Sequence, residues 1–424
     1  MSKRHRVTLY EKDDRLGGHT HTVDVDVGET RIPVDTGFIV YNDVNYPNLV
    51  EFLKYLDVET TSTEMSFSVS VGEGAFEYAG SDLWGLIAQK RNLLRPRFYR
   101  MVSDLRRFYS EAPTVLGEGA ENQTLGDYLR EQEYGETFVN DHLIPMGAAI
   151  WSTPANKMLD YPVKSFVKFC ENHGLLRLRG RPTWRTVIGG ARKYVERIRE
   201  ELTGPVRVAR EACLVTRRPD GVIVRDNSGH IEIFDDVVIA AHADQALRLL
   251  ADPDPRERAL LGAFAYQQNR AVLHSDPALM PRRRGAWASW NYLTPRCEGN
   301  SDGLSVTYWM NRLQPIGSSK QIFVTLNPYR EPVPGTILKE VEYSHPIFDR
   351  RSEQAQKDLW SLQGRRNTWF CGAYFGWGFH EDGLQSGLAV AEDLGGLRRP
   401  WIVDNESYRI ERQAIDTASE GQAA

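Results

Sequence analysis

Residues Trp369–Glu392 read WFCGAYFGWGFHEDGLQSGLAVAE. A short apolar strand, Trp369-Phe370-Cys371, runs into a glycine-rich loop, Gly372–Gly378, and then into a helix predicted over Leu384–Leu394, whose first turn holds Asp382 and Gly383. A helix N-terminus offers unpaired N–H groups and a partial positive charge, so this junction suits an anionic or electron-rich ligand. His380 and Glu381 sit just before the helix start and are the nearest candidates for a catalytic base, although a lone histidine is more often structural.

The other end of the chain reads as a matching half. Val7-Thr8-Leu9-Tyr10 has the composition of a buried strand and ends in Glu11. An acidic residue at such a strand end accepts hydrogen bonds from ribose hydroxyls. A polar turn, Lys12–Arg15, leads to Gly17-Gly18, where backbone can approach a ligand closely, with Arg15 and His19 beside it to face phosphate. A phosphate-cradling G-x-G-x-x-G belongs about 20 residues before the acidic residue. Only ten residues precede Glu11, and neither Gly72-Glu73-Gly74, read as a hairpin turn, nor Gly117–Gly119, read as a loop, substitutes for it.

Between these ends, Val23–Val27 and Arg31–Val34 predict a β-hairpin, followed by Asp35-Thr36-Gly37-Phe38. Tyr46–Leu56 predicts a helix with Pro47 in its first turn. Gly135–Trp151 reads as helical, ended by Ser152-Thr153-Pro154, and Gly189-Gly190 opens a helix over Ala191–Leu202. Val237–Ala241 is an apolar run of buried-strand type that leads into a helix over Ala243–Leu250. Strand–helix alternation at both ends, around a strand-rich middle, predicts an α/β protein: a nucleotide-binding lobe interleaved with a second lobe. The expected boundaries are 1–60, 185–265 and 361–400 for the first lobe, and 61–184 and 266–360 for the second. The polar tail, 401–424, is expected to fray from Asn405 onward.

Composition narrows the field. The 424 residues carry 52 Lys+Arg against 57 Asp+Glu and are 41% hydrophobic, which excludes disorder and leaves no basic footprint for nucleic acid. Four scattered cysteines, Cys170, Cys213, Cys297 and Cys371, form no C-x-x-C, so neither a metal site nor a disulfide framework is expected, in keeping with a reduced, cytoplasmic compartment. Met1–Arg6 is basic, but no apolar stretch follows to make a secretory signal. Trp84–Tyr109 holds Lys90, Arg91, Arg95, Arg97, Arg100, Arg106 and Arg107 against one acid, Asp104, interleaved with apolar side chains. It reads either as a basic amphipathic segment for peripheral contact with the inner face of a membrane, or as a solvated helix whose apolar side is core.

EKDDRLGGHTHT (Glu11–Thr22), VDTGFIVYN (Val34–Asn42), PTWRTVIGGARKYV (Pro182–Val195) and GAYFGWGFHEDGLQSG (Gly372–Gly387) together resemble the flavin-containing amine oxidase and phytoene desaturase superfamily, in its bacterial branch of predicted NAD/FAD-binding oxidoreductases. The resemblance runs from about Val7 to Glu392. It implies a Rossmann-like FAD-binding lobe interleaved with a mixed α+β substrate lobe, and hydride transfer from an apolar, lipid-like substrate to flavin N5. By position, it implies that Glu11 holds the adenosine ribose and that Arg15, Gly17, Gly18 and His19 line the pyrophosphate and ribityl side, with His19 where most relatives have Arg. Gly37 and Phe38 would approach the isoalloxazine, and the Ala212 backbone would meet adenine. Gly372, Ala373, Asp382, Gly383 and Leu384 would wrap the ribityl and pyrimidine edge, and His380 falls near a substrate-facing aromatic position. The family's first strand, its G-x-G-x-x-G loop and most of its first helix are absent, and Ser2–Arg6 resembles that helix's end. The expectation is therefore a natural start about 25 to 30 residues upstream of Met1, without which a parallel sheet loses a central strand. Two alternatives stay open: an amine oxidase proper, with Tyr374, Trp377 and His380 as an aromatic cage, and a non-catalytic remnant acting as a binding protein.

Overall fold

A computed structural model of the chain describes residues 1–117, 119, 123–151, 155–177, 180–295 and 305–413. The predicted hairpin forms: Thr22–Val27 pairs antiparallel with Thr30–Asp35, and Val25, Ile32 and Val34 turn inward as the period of two requires. The Pro47–Tyr55 helix starts at its proline.

The Rossmann-like lobe is built on two short parallel pairs. Leu9–Tyr10 pairs with Val206–Arg207, and Val237–Ile239 pairs with Thr368–Phe370. The pairs are not hydrogen-bonded to each other. Residues of Leu9–Tyr10 and of Val237–Ile239, one strand from each pair, line one cavity.

The second lobe rests on a seven-stranded mixed sheet. Its order is Ile337–Ile347, Ala265–His274, Phe323–Leu326, Val306–Trp309, Trp290–Thr294, Phe67–Val71 and Phe76–Ala79. Ile337–Ile347, the longest of these strands, was not legible from periodicity. It is an edge strand whose Lys339, Glu340 and Glu342 face solvent, and charge is how exposed sheet edges are kept from pairing further.

Three expectations change. Residues 405–413 do not fray: Ile410 is buried, and Arg409 has a side chain with no exposed surface, bonded into the interior. The basic stretch is no single helix. It divides into Leu83–Leu86, a 3₁₀ turn at Lys90–Leu94, and a helix, Pro96–Glu111, that starts at Pro96. Phe98, Met101 and Phe108 on that helix are core, whereas Leu94 and Trp84 are 87% and 77% exposed, with Leu93 and Tyr99 exposed beside them. The Gly135–Trp151 helix contains a π turn, Val139–Leu143. Its predicted end, Ser152-Thr153-Pro154, lies outside the described residues, as do Cys297 and residues 414–424. Cys170, Cys213 and Cys371 are free, and no helix among the described residues is long and apolar enough to cross a membrane.

Candidate functional site

One cavity of about 1860 Å³ runs through the molecule. Glu11 and Ala212 line it where the first parallel pair ends. Gly17, Gly18, His19, Gly37 and Phe38 line its middle, and Gly372, Ala373, His380, Gly383 and Leu384 line the C-terminal wall. Every residue named from the sequence as a cofactor contact, Arg15 included, lies on this wall except Asp382.

The glycines are there because backbone meets backbone. Gly17 has φ +115°, and a Cβ on it would lie 2.5 Å from the Thr20 carbonyl. A Cβ on Gly37 would lie 2.1 Å from the His19 carbonyl, which already accepts from the Phe38 N–H at 2.8 Å. Arg15 braces this turn, donating to the carbonyls of Gly18 (2.8 Å) and Thr20 (3.3 Å). The Glu11 carboxylate is fixed by the Asp13 N–H at 2.9 Å.

Asp35 ties the hairpin to the helix that Gly189-Gly190 opens. Its buried carboxylate accepts from the Ala191 N–H at 3.0 Å and from Gln314 Nε2 at 2.7 Å. Burial pushes this carboxyl up to about 6.

His380 stacks on Phe38, with ring centres 4.0 Å apart, and its Nε2 lies 2.8 Å from the Tyr194 hydroxyl, which in turn bonds Thr20 Oγ1. Burial lowers its pKa to about 4, so the ring is neutral at ordinary pH. Around His19 gather Tyr343, His345 and His242, at ring distances of 5.0, 5.4 and 5.9 Å. His19 Nε2 is buried with no partner, and burial lowers this ring also to about 4.

Two site assignments are corrected. Glu381 lies outside the cavity and is fully buried. It accepts from the N–H groups of Asn48 (3.1 Å) and Leu49 (3.0 Å) and from the side chains of Asn48 and Gln385. It therefore caps the first turn of the Pro47–Tyr55 helix, and its oxygens are engaged away from any substrate. Asp382 also points away from the cavity. Its Oδ2 accepts from the N–H groups of Trp377 (3.0 Å) and Phe379 (2.7 Å), and its Oδ1 meets the buried Arg409 at 3.3 Å. It shapes the glycine-rich loop from behind. The helix itself begins at His380, four residues before the predicted start, because this capping supports an earlier first turn.

The sequence reading missed Arg409, Tyr194, Tyr343, His242 and His345. His242 falls between the Val237–Ala241 strand and the Ala243–Leu250 helix, where a histidine carries no local signal, and Tyr194 lies inside PTWRTVIGGARKYV with nothing to single it out.

An interrupted parallel sheet, two glycine turns pressed together and a glycine-rich loop feeding a helix start define a dinucleotide-binding two-lobed protein. The family model for flavin containing amine oxidoreductases matches residues 1–273, and the chain belongs to that family, whose cofactor is FAD. No curated protein sequence matches it. Among solved structures it is similar to a fatty acid isomerase from P. acnes that produces CLA (14% identity, 92% of each chain covered, TM-score 0.62). It is similar also to cyclohexylamine oxidase from Brevibacterium oxydans IH-35A (13% identity, 92% of this chain and 94% of that one, TM-score 0.63). A third likeness is to reduced UDP-galactopyranose mutase (13% identity, 94% and 91% covered, TM-score 0.62). At these identities the likeness is one of fold. The cavity fits FAD on its own terms: the glycine cradle leaves no room for side chains, and His19 presents an unsatisfied buried nitrogen.

Proposed function

We propose that this FAD-dependent oxidoreductase takes a hydride from a carbon of an apolar, lipid-like substrate. The observation that carries the reading is the wall of the cavity in the second lobe. Met65, Phe67, Met146, Ile150, Phe169 and Trp290 make it apolar; among the described residues 65–184 contribute no carboxylate to it, as a bound ammonium group would require, and the second-lobe carboxylate that does line the cavity, Glu342, stands on the exposed edge strand Ile337–Ile347. Bound FAD supplies the hydride acceptor. Glu11, Arg15 and the glycine turns would hold it, with Gly37, Phe38, Gly383 and Leu384 beside its ring. The aromatic stack His173–Phe169–Phe379, with centroids 3.8 and 4.7 Å apart, keeps water from the reacting carbon. His380 supplies a neutral imidazole beside Phe379, its Nε2 paired to Tyr194, as a group to take a proton from the neighbouring carbon.

The test is anaerobic mixing of the FAD-loaded protein with candidate substrates. Long-chain lipids are expected to bleach the flavin absorbance, and amines are not. Bleaching by amines alone would overturn the reading in favour of an amine oxidase.

The same reading takes the substrate from an anionic membrane. Trp84, Leu93, Leu94 and Tyr99 are exposed apolar side chains of this one stretch of chain, and Lys90, Arg91 and Arg100 within it are exposed and positively charged. The protein is expected to co-sediment with phosphatidylglycerol vesicles, and the Trp84→Ser/Leu94→Ser double variant to bind them about tenfold or more weakly. Equal binding by the double variant would remove these side chains from the proposal.

A further inference from the structure

We infer that the substrate carries an anionic head and that Arg181, with Tyr109 and His142, holds that head at the second-lobe end of the cavity. The inference rests on the apolar-substrate reading above and deepens it.

Among the described cavity-lining residues between 65 and 184, Arg181 is the one side chain with a full charge. Its Nε donates to the Arg177 carbonyl at 2.8 Å, which fixes the side chain. Among the described residues no carboxylate pairs with its guanidinium, whose terminal nitrogens therefore stay available. A lone guanidinium on an apolar wall is matched by a carboxylate or phosphate oxygen pair, which it binds in bidentate fashion. The same charge repels an ammonium group.

Tyr109 and His142 line the cavity with it. His142 is 6% exposed and stands on the π turn, Val139–Leu143, a kind of local widening found often at functional sites. Its Nδ1 lies 2.8 Å from the Tyr78 hydroxyl, which donates to the Asp141 carbonyl at 2.9 Å. The Nδ1 therefore carries the hydrogen, and Nε2, buried and without a partner, keeps a lone pair that takes up a proton when an anion arrives. The charge of Arg181 acts on both neighbours, lowering the His142 imidazole further and opposing the rise that burial imposes on the Tyr109 hydroxyl. An acyl chain anchored by its head at Arg181 would lie along the apolar wall toward Phe379 and His380. Two head chemistries share this recognition: the carboxylate of a free fatty acid and the phosphate of a lipid headgroup.

The test uses the full chain and the fluorescence of cis-parinaric acid and parinaryl alcohol on binding. Arg181→Gln is expected to weaken the acid about tenfold or more and leave the alcohol unchanged, with Arg181→Lys falling between. Because Arg181 is exposed, the melting temperature of the variant is expected to match that of the parent. Displacement of the bound acid by oleate more than by oleoyl lysophosphatidylglycerol supports a free acid, and the reverse supports a lipid headgroup. Equal binding of the acid by the parent and Arg181→Gln, with the alcohol also bound, overturns this inference and leaves the apolar reading standing. Failure of the parent to bind either probe overturns both.

Discussion

Arg409→Met is expected to destabilise the protein by about 3–5 kcal/mol, the usual cost of removing one partner of a buried ion pair. The Arg409 and Asp382 side chains are both without exposed surface. Arg409 also donates to the Tyr408 hydroxyl at 3.0 Å and to the Asn45 carbonyl, and its guanidinium lies over the rings of Trp377 (5.0 Å) and Tyr46 (5.2 Å). Its removal leaves Asp382 buried beside Glu381 with no compensating charge. Burial already pushes the Asp382 carboxyl up to about 6 against the pull of Arg409, so the orphaned acid would take a proton. The neutral acid would hold the Trp377 and Phe379 N–H groups less firmly, and the loop that positions His380 would loosen. Asp382→Asn in the Arg409→Met background removes the charge and is expected to restore part of the loss. Urea unfolding of the three proteins measures this. A loss below about 1 kcal/mol for Arg409→Met would show that the pair contributes little.

The same residues show what the sequence could and could not disclose. Gly17 and Glu11 were named from local features, a turn and a strand end, and Gly37 from the family resemblance; all three lie on the cavity wall. Glu381 and Asp382 were misread because their partners are remote. The capping contact of Glu381 is made to a helix 333 residues earlier, and nothing near position 381 announces it. An acidic pair at a helix start looks the same whether it faces a ligand or the protein behind it. Arg409 lay in a polar segment that composition assigns to solvent, yet a single buried arginine anchors it. The basic stretch at 84–109 carried features of both readings: its long helix faces the core through Phe98, Met101 and Phe108, while Trp84 on the short helix and Leu94 on the turn before it are exposed. Hydrophobic periodicity reports that a side chain is apolar, and only the packing decides whether anything covers it.

Acid is expected to unfold this protein well before most carboxylates are protonated. Burial holds His19, His142, His274 and His380 down to about 4, and His173 and His345 to about 3. Unfolded, each returns to about 6.5. A histidine depressed in the folded state contributes fully above its unfolded value, and its contribution is lost as pH falls from 6.5 toward 4, because the unfolded chain then binds more protons. At pH 5 each such group costs roughly 2 kcal/mol relative to neutral pH. Asp35 and Asp382 work in the opposite direction. Their folded values of about 6 lie above the ordinary carboxylate range, so they regain roughly 1.4 kcal/mol each over the same interval. Six histidines outweigh two acids, and a net loss of several kcal/mol is a large part of the 5–15 kcal/mol that holds a typical domain together. Thermal unfolding is therefore expected to shift steeply downward between pH 6.5 and 5 and to be nearly flat between 7 and 8. A melting temperature unchanged from pH 7.5 to 5 would mean that the histidines around the cavity are hydrated in solution. It would also remove the dry, neutral surroundings on which the role of His380 depends.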